Sequence, residues 1–179
     1  MEYIKREIVF ISLFICSFYA NCLAQEAKVE SNNTSRANDS TEILISKIRK
    51  EYNKINSDSS KLRIVKEDRS GQSTEGGELK KFYDGDNLRK AILVLYGETG
   101  KSITEYYFAN GRLFFAYERI EEYNKPIYEN GTKVNKVEEN RYYFNNLRLI
   151  RWINSGKMIN NSLYPAKEKE LLDDIKDIH

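Results

Sequence analysis

Aromatic and aliphatic residues recur along the chain in short runs that are separated by turn residues. The clearest case is residues 105–117, which read Glu-Tyr-Tyr-Phe-Ala-Asn-Gly-Arg-Leu-Phe-Phe-Ala-Tyr. Asn110-Gly111 suits a two-residue turn with positive φ at both central positions, and the flanking runs suit paired antiparallel strands. The same arrangement recurs at residues 140–152 and, more loosely, at residues 79–91. The pattern therefore predicts a series of aromatic β-hairpins.

The strand-type runs predict six or seven strands, at residues 62–67, 78–83, 88–96, 102–108, 113–117, 138–144 and 147–153. The runs 91–96 and 113–117 are apolar on both faces, which is typical of strands that are covered on both sides. We expect these two near the middle of the sheet, with a helix or a loop over each face. Gly97 and Gly100 are expected to supply positive φ in the turn between strands.

Two helices flank the predicted strands. The first begins after a cap at Asp39 or Thr41 and ends near residue 56, on an apolar stripe of Leu44, Ile48, Tyr52 and Ile55. The second begins at Tyr164-Pro165 and carries a stripe of Leu171, Leu172, Ile175 and Ile178. The predicted fold is α+β: an N-terminal helix, a curved antiparallel β-meander of about six or seven strands, and a C-terminal helix.

The N-terminus resembles a secretory signal peptide. Lys5 and Arg6 precede an apolar run at residues 8–20, which is short against the roughly 20 residues that cross a bilayer. We expect a signal peptide at residues 1–24, cleaved before Gln25, a disordered spacer at 25–39 and a single domain at 40–179. The mature chain is then exported, to the periplasm or outside the cell, without a membrane span. Lipidation of Cys22, as in bacterial lipoproteins, is the alternative.

Composition excludes several classes of protein. Both cysteines, Cys16 and Cys22, lie in the targeting segment, so the mature domain must fold without disulfides. The chain has 29 Lys and Arg against 27 Asp and Glu, with both signs interleaved, which gives no basic stripe for nucleic acid. The single histidine is His179, so a Ser-His or Cys-His nucleophile and a His-rich metal site are not expected. We predict no cofactor.

Two motifs resemble a phosphate-binding loop and a calcium-binding loop, but each lacks residues that the site requires. Residues 91–102 resemble a strand entering a phosphate-binding loop, but Leu95 stands where the loop needs glycine, and a strand follows where a helix is required. Asp84-Gly-Asp86 lacks the further acidic ligands and the closing Glu of an EF-hand. Both motifs are predicted to be turns between strands.

Carboxylates remain the one set of side chains that could support catalysis. Six glutamates lie on or near the strands, at Glu105, Glu118, Glu121, Glu122, Glu138 and Glu139. A pair at a defined separation could cleave glycosidic bonds, but nothing in the spacing sets such a pair, and outward strand positions collect Glu for solubility. A carboxylate-dependent hydrolase acting on cell-envelope or extracellular carbohydrate is therefore the alternative function.

Tyrosine is abundant, with 13 Tyr in the chain and most of them on the predicted strands. Tyr offers a large rigid contact area with one polar group, which suits recognition of protein or carbohydrate. Neighbours on a strand face opposite ways, so one member of the pairs at 106–107 and 142–143 is expected to be exposed. Residues 121–136 are either a long loop or an additional small hairpin, and they contain two further tyrosines. The predicted binding residues are Tyr106, Tyr123, Tyr128 and Tyr142.

The phrase Tyr-Tyr-Phe-x-Asn-Gly-x-Leu at residues 106–113, echoed at residues 142–149, resembles the hairpin units of bacterial MORN-like and antitoxin-component-like repeat proteins. It is also similar to uncharacterised exported proteins of the Bacteroides group. The chain departs from the MORN pattern because it lacks regular glycines and even spacing. The resemblance implies an interaction role and brings no catalytic residue. We therefore expect an exported, non-enzymatic binding domain with a protein or carbohydrate partner in the cell envelope or outside the cell.

Overall fold

The computed structural model describes residues 39–178. The chain divides into two units, Met1–Ile43 and Leu44–His179. Of the first unit only residues 39–43 are described, and they are helical. Several predictions lie outside the described residues. They are the signal peptide at 1–24, cleavage before Gln25, lipidation of Cys22 and nearly all of the spacer at 25–39.

The first helix, α1, covers residues 39–57. From Leu44 onward its buried side chains are Ile45, Ile48 and Ile55, with Tyr52 packed beside them. The predicted stripe is confirmed at Ile48, Tyr52 and Ile55, but Leu44 is only half-buried and Ile45 takes the core position. Positions three and four residues before Ile48 both fit the helical period, and the sheet lies on the Ile45 side.

The strands form one antiparallel sheet in which each strand pairs with its neighbours in sequence. Within residues 39–178 there are eight strands: β1 (Arg63–Asp68), β2 (Gly77–Asp84), β3 (Asn87–Gly97), β4 (Gly100–Ala109), β5 (Arg112–Tyr123), β6 (Val134–Asn145), β7 (Arg148–Asn154) and β8 (Lys157–Met158). The predicted meander is confirmed. The short β8 was not predicted, and it arises because Ser155-Gly156 turns the chain once more, with both residues at positive φ.

Three hairpins, β2–β3, β4–β5 and β6–β7, share one plan. A two-residue loop is followed by a register shift that leaves one extra residue on the second strand, and the extra residues are Arg89, Phe114 and Ile150. Asn110 and Gly111 have φ of 51° and 69°, which confirms the predicted turn. Asn146 and Leu147 repeat it, with φ of 49° and 64°.

Two hydrophobic clusters cover opposite faces of the sheet. On one face the C-terminal helix, α2 (Tyr164–Asp174), and the 3-10 turn Ile175–Asp177 that follows it pack on the strands. On the other face, α1 packs on the strands. The strand residues in the α2 cluster include Tyr106, Phe108, Leu113, Ala116, Tyr142, Phe144 and Leu149. Those in the α1 cluster include Tyr107, Phe115 and Tyr143.

The apolar runs and the C-terminal stripe are largely confirmed by these clusters. In residues 113–117 consecutive side chains enter both clusters, as expected for a strand covered on both faces. In residues 91–96 Ala91 is fully buried but Tyr96 is exposed, because β3 lies nearer the β1 edge of the sheet. At the C-terminus Leu171, Ile175 and Ile178 are buried, and Leu172 is partly buried against them.

Two details of the loops differ from prediction. The β5–β6 connection is residues 124–133 rather than 121–136, because Glu121 and Glu122 pair with Val137 and Lys136 and so extend both strands. The turn between β3 and β4 is confirmed, but neither Gly97 nor Gly100 is among the residues with positive φ. Gly100 instead permits a close approach of backbones, since a Cβ there would lie 2.3 Å from the carbonyl oxygen of Glu121.

Candidate functional site

The four tyrosines chosen from the sequence occupy two separate places. Tyr106 and Tyr142 lie together in the α2 cluster, with exposed fractions of 1% and 0%. The prediction that one member of each tyrosine pair is exposed is wrong, because a helix covers each face of the sheet and their neighbours Tyr107 and Tyr143 are buried under α1. Tyr106 and Tyr142 are therefore not surface residues.

Tyr123 and Tyr128 lie at the β5–β6 connection, which is held against the β3–β4 turn. The backbone N–H groups of Tyr123 and Ile127 donate to the carbonyl oxygens of Thr99 and Glu98, each at 2.8 Å. Tyr123 ends β5 and is half-buried, whereas Tyr128 is 73% exposed. The Tyr128 hydroxyl donates to Glu98 Oε1 at 2.5 Å, and this bond raises the pKa of Tyr128. The connection is thus an ordered loop with one exposed aromatic tip.

A groove of about 460 Å³ lies between the flank of α1 and the neighbouring strands β5 and β6. We name it the α1 groove, and its lining residues are Ile48, Arg49, Tyr52, Asn53, Phe115, Tyr117, Arg141 and Tyr143. The strand side chains share one face because they alternate along their strands, and pairing sets Phe115 opposite Tyr143 and Tyr117 opposite Arg141. The helix therefore supplies one aromatic ring and one arginine, and the sheet supplies three aromatic rings and one arginine.

Aromatic rings form the inner wall of the α1 groove and pack at steep angles to one another. The Tyr52 and Phe115 rings are 5.2 Å apart with an interplanar angle of 74°, and the Phe115 and Tyr143 rings are 5.0 Å apart at 58°. The first pair is edge-to-face and the second is tilted, and edge-to-face contacts are favourable beyond the area that they bury. The inner wall is thus rigid and apolar.

The two arginines of the α1 groove lie over its outer rings. The Arg49 guanidinium is 5.9 Å from the centre of the Tyr143 ring, and the Arg141 guanidinium is 5.7 Å from that of Tyr117. Arg141 Nη2 also donates to Glu139 Oε2 at 3.0 Å. Among the residues that the structure describes, Arg49 has no carboxylate within ion-pair distance.

Glu139, at the rim of the α1 groove, is shared by several donors. Its Oε1 accepts the Tyr117 hydroxyl at 2.9 Å and lies 3.6 Å from Arg119 Nη1, while its Oε2 accepts Arg141. Burial and the bond to Glu139 both raise the pKa of Tyr117. Because two guanidinium groups surround this one carboxylate, it only partly neutralises Arg141. None of the lining residues is Asp or Glu.

The glutamates considered for catalysis are distributed among several partners. Glu118 and Glu138 share an amide donor: the side-chain nitrogen of Asn140 donates to Glu118 Oε2 at 3.1 Å and to Glu138 Oε1 at 3.4 Å. The Tyr142 hydroxyl donates to the same Glu118 oxygen at 2.7 Å, and Asn154 Nδ2 donates to Glu138 Oε1 at 2.6 Å. Both carboxylates are therefore bound into a polar network.

The other four candidate glutamates pair with cations. Glu105 pairs with Lys90 at 2.8 Å, Glu121 with Arg119 at 2.9 Å and Glu122 with Lys136 at 3.1 Å. Glu139 pairs with Arg141, as described above. Structural ion pairs thus account for these side chains, and the sequence spacing alone could not show which glutamates would meet.

The described range holds no group of three or more His, Cys, Asp or Glu side chains placed to bind a metal ion. Over the same residues, neither helix has the length and apolar character needed to cross a membrane. Asp84 and Asp86 flank Gly85 in the β2–β3 hairpin loop, as the turn prediction requires.

Sequence reasoning missed the α1 groove although it identified some of its parts. Tyr52 was assigned to the helical stripe, while Arg49, Phe115 and Arg141 were not singled out. Alternation on β5 and β6 was available as a signal, but the register that sets Tyr117 opposite Arg141 emerges only from the folded pairing. No protein-family model, curated protein or solved structure matches the chain.

Proposed function

We propose that the chain is an exported, non-enzymatic binding domain and that the α1 groove is its ligand site. The observation that carries the proposal is Arg49, which lies over Tyr143 at the mouth of an aromatic recess and has no carboxylate partner within residues 39–178. Recognition sites combine apolar and aromatic walls with a few polar groups that fix orientation. Arg and Tyr are also enriched among residues that dominate binding energy.

Export is part of the proposal and rests on the sequence of residues 1–24. Lys5 and Arg6, the apolar run and the small residues before Gln25 support it. A partner in the periplasm or outside the cell follows from that location. The aromatic hairpin repeats support an interaction role through their resemblance to MORN-like proteins, and that kinship remains a proposal.

A capture experiment tests this function. The mature chain would be immobilised and exposed to a cell-envelope extract, in parallel with the variant Arg49→Gln/Arg141→Gln. The control Lys50→Gln/Lys66→Gln removes the same charge from exposed positions outside the groove. We expect a component that the native chain and the control retain and that the groove variant loses. Equal retention by all three chains would contradict the groove as the site.

The exposed loop tip is a second surface for the same function. Ile127 and Tyr128 are 51% and 73% exposed and lie beside each other on the β5–β6 connection. Tyr123→Ala/Tyr128→Ala in the same assay separates the two surfaces. Because the backbone bonds to Glu98 and Thr99 hold the loop, loss of capture with an unchanged melting midpoint would assign binding to the tip instead of the groove.

The alternative function, a carboxylate-dependent hydrolase acting on cell-envelope or extracellular carbohydrate, has one supporting observation. Glu118 and Glu138 share the Asn140 amide, and paired carboxylates perform glycoside cleavage. Asn140 is 2% exposed and Tyr142 is fully buried, so this network also fits a structural role. Release of reducing sugar from envelope polysaccharide, abolished by Glu118→Gln, would favour the hydrolase over the binding domain.

A further inference from the structure

The charge of the α1 groove selects an anionic ligand. Arg49 and Arg141 are the ionisable cations among its lining residues, and no acidic side chain lines it. Glu139 at the rim is already paired with Arg141 and close to Arg119, which limits its repulsion of an incoming anion. A guanidinium binds carboxylate through two parallel hydrogen bonds, and this geometry makes Arg the preferred partner for such groups.

The placement of the two guanidinium groups indicates where the anion lies. Each lies over an aromatic ring, Arg49 at 5.9 Å from the centre of Tyr143 and Arg141 at 5.7 Å from that of Tyr117. These contacts are near the outer limit for cation–π attraction and leave N–H donors of each guanidinium available to a ligand. Arg141 and Tyr143 are two residues apart on β6 and share a face, which sets both cations along the same wall.

The aromatic geometry favours an extended peptide over a sugar. A pyranose ring requires a flat, free aromatic face, but Phe115 and Tyr143 are only 5% and 4% exposed. The inner rings of Tyr52 and Phe115 meet at 74° and give the groove an apolar surface for contact with an aliphatic or aromatic side chain. The groove volume of about 460 Å³ is within the range of small-ligand sites and suits two or three residues of a peptide.

We infer that the α1 groove binds an acidic segment of a partner protein, with an Asp or Glu carboxylate on Arg49 beside Arg141 and a neighbouring apolar side chain against Tyr52 and Phe115. This inference rests on the proposed binding function and adds the chemistry of the ligand. The partner's segment supplies the carboxylate for Arg49, which has no carboxylate partner within the described chain. Binding therefore weakens as salt concentration rises, because part of the attraction is between charges near the surface.

A peptide-display selection tests the inference. A phage library of random seven-residue peptides would be selected on the immobilised mature chain, and the enriched peptides would be synthesised. We expect them to carry Asp or Glu next to an aromatic or aliphatic residue. Replacement of the acid by its amide, or Arg49→Gln/Arg141→Gln in the protein, should weaken binding by about tenfold or more, as expected for the loss of a charged hydrogen-bonded pair. Lys50→Gln/Lys66→Gln should bind as the native chain does.

Specified results would overturn the inference. The selection would contradict the inference if it enriched no peptide or only peptides without an acid. Binding of the acidic peptides by Arg49→Gln/Arg141→Gln as tight as by the native chain would also contradict it, provided that the variant keeps the native melting midpoint. Arg49→Lys and Arg141→Lys replace Arg49→Gln/Arg141→Gln if that variant is destabilised, since they keep the charge but lose the planar fork. Tighter binding of a hexamer of galacturonic acid than of any peptide would reassign the groove to an acidic polysaccharide. Groove-dependent capture from the envelope extract without any acidic peptide binding would refute this inference alone and leave the proposed function standing.

Discussion

Tyr106 and Tyr107 are adjacent in sequence, and their hydroxyl groups reach different helices on opposite faces of the sheet. The Tyr106 hydroxyl donates to Asp174 Oδ2 at 2.9 Å at the end of α2. The Tyr107 hydroxyl lies 3.1 Å from Asn56 Oδ1 at the end of α1 and also contacts the Glu105 carboxylate. Burial, followed by these carboxylates, raises the pKa of both tyrosines, so both hydroxyls stay protonated and able to donate. Two adjacent residues of β4 thus form hydrogen bonds with both helices.

Tyr106→Phe and Tyr107→Phe should each lower the free energy of unfolding by about 1 kcal/mol, because each removes a buried hydrogen bond. Tyr106→Phe removes the hydroxyl that Asp174 accepts, whereas Glu105 and Asn56 keep Lys90 as a partner after Tyr107→Phe. The double variant should show additive losses to within about 0.5 kcal/mol, since the hydroxyls have no shared partner and lie on opposite faces. Urea denaturation of the four chains measures this. Strong non-additivity would mean that the two helices are energetically coupled through the sheet.

Gly111→Val is expected to destabilise the β4–β5 hairpin. Gly111 has a φ of 69°, where a β-branched residue is a genuine outlier, and the expected cost is at least roughly 1 to 2 kcal/mol. A Cβ at this position would meet no atom within 4 Å, so the cost comes from the backbone conformation and not from a clash. Thermal unfolding checks it, and an unmoved melting midpoint would refute the assigned role of this turn.

Leu147→Gly is the reciprocal change in the β6–β7 hairpin and should stabilise the protein. Leu147 stands at the position equivalent to Gly111, with a φ of 64°, and its side chain is 38% exposed. Relief of the left-handed backbone of a non-glycine residue should gain about 1 kcal/mol, offset by the small area that the leucine buries. The melting midpoint should rise. A fall would show that the Leu147 side chain contributes more by packing than its backbone costs.

The fold was predictable because local signals agree along most of the chain. Asn110-Gly111 predicts one hairpin turn, a similar sequence with Asn146-Leu147 at the turn follows at residues 142–149, and sequential hairpins leave little choice of strand order. The exposure of the tyrosine pairs was not predictable in the same way. Alternation shows that Tyr106 and Tyr107 face opposite sides, but it does not show that a helix covers each side.

The candidate site was less predictable than the fold because it depends on register and on helix placement. Arg49 and Tyr143 are far apart in sequence and meet only because α1 packs on the face of the sheet that carries Tyr143. Sequence reasoning instead favoured exposed tyrosines, of which Tyr128 alone is largely exposed. Contacts between residues far apart in sequence produce no local pattern in a single sequence, whereas hairpins produce alternating strand residues on either side of turn residues.

Glu121→Gln should lower stability at neutral pH but not in acid. Hydrogen bonding from Arg119 and, to a smaller extent, from Lys101 holds the pKa of Glu121 below its ordinary value. A carboxyl with a depressed pKa in the folded state contributes stability above its unfolded pKa of about 4.3, and that contribution is lost as the pH falls through the folded value. The variant should lose about 1 kcal/mol at pH 7 and approach the native chain below about pH 4.

Glu122→Gln is the matched control for Glu121. The two glutamates are neighbours on β5, but Glu122 has an exposed ion pair with Lys136, in which both side chains are 56% exposed. Exposed pairs contribute little, so this variant should stay within about 0.5 kcal/mol of the native chain at both pH values. If urea denaturation gave the same loss of stability for both substitutions, the burial of Glu121 would not be what makes its ion pairs stabilising.

Gly100→Ala should destabilise the sheet where β4 begins, although Gly100 has no positive φ. Its Cβ would lie 2.3 Å from the carbonyl oxygen of Glu121 on β5, and a backbone atom within a ladder can move only by separating the strands. Such overpacking costs about 1 to 3 kcal/mol. Gly97→Ala is the control from the same turn, because its Cβ would lie 3.3 Å from the Gly100 oxygen and needs only a small adjustment. Similar melting midpoints for the two variants would show that the strands can separate at this end without cost, and that the glycine at position 100 is not required by the close approach of β4 and β5.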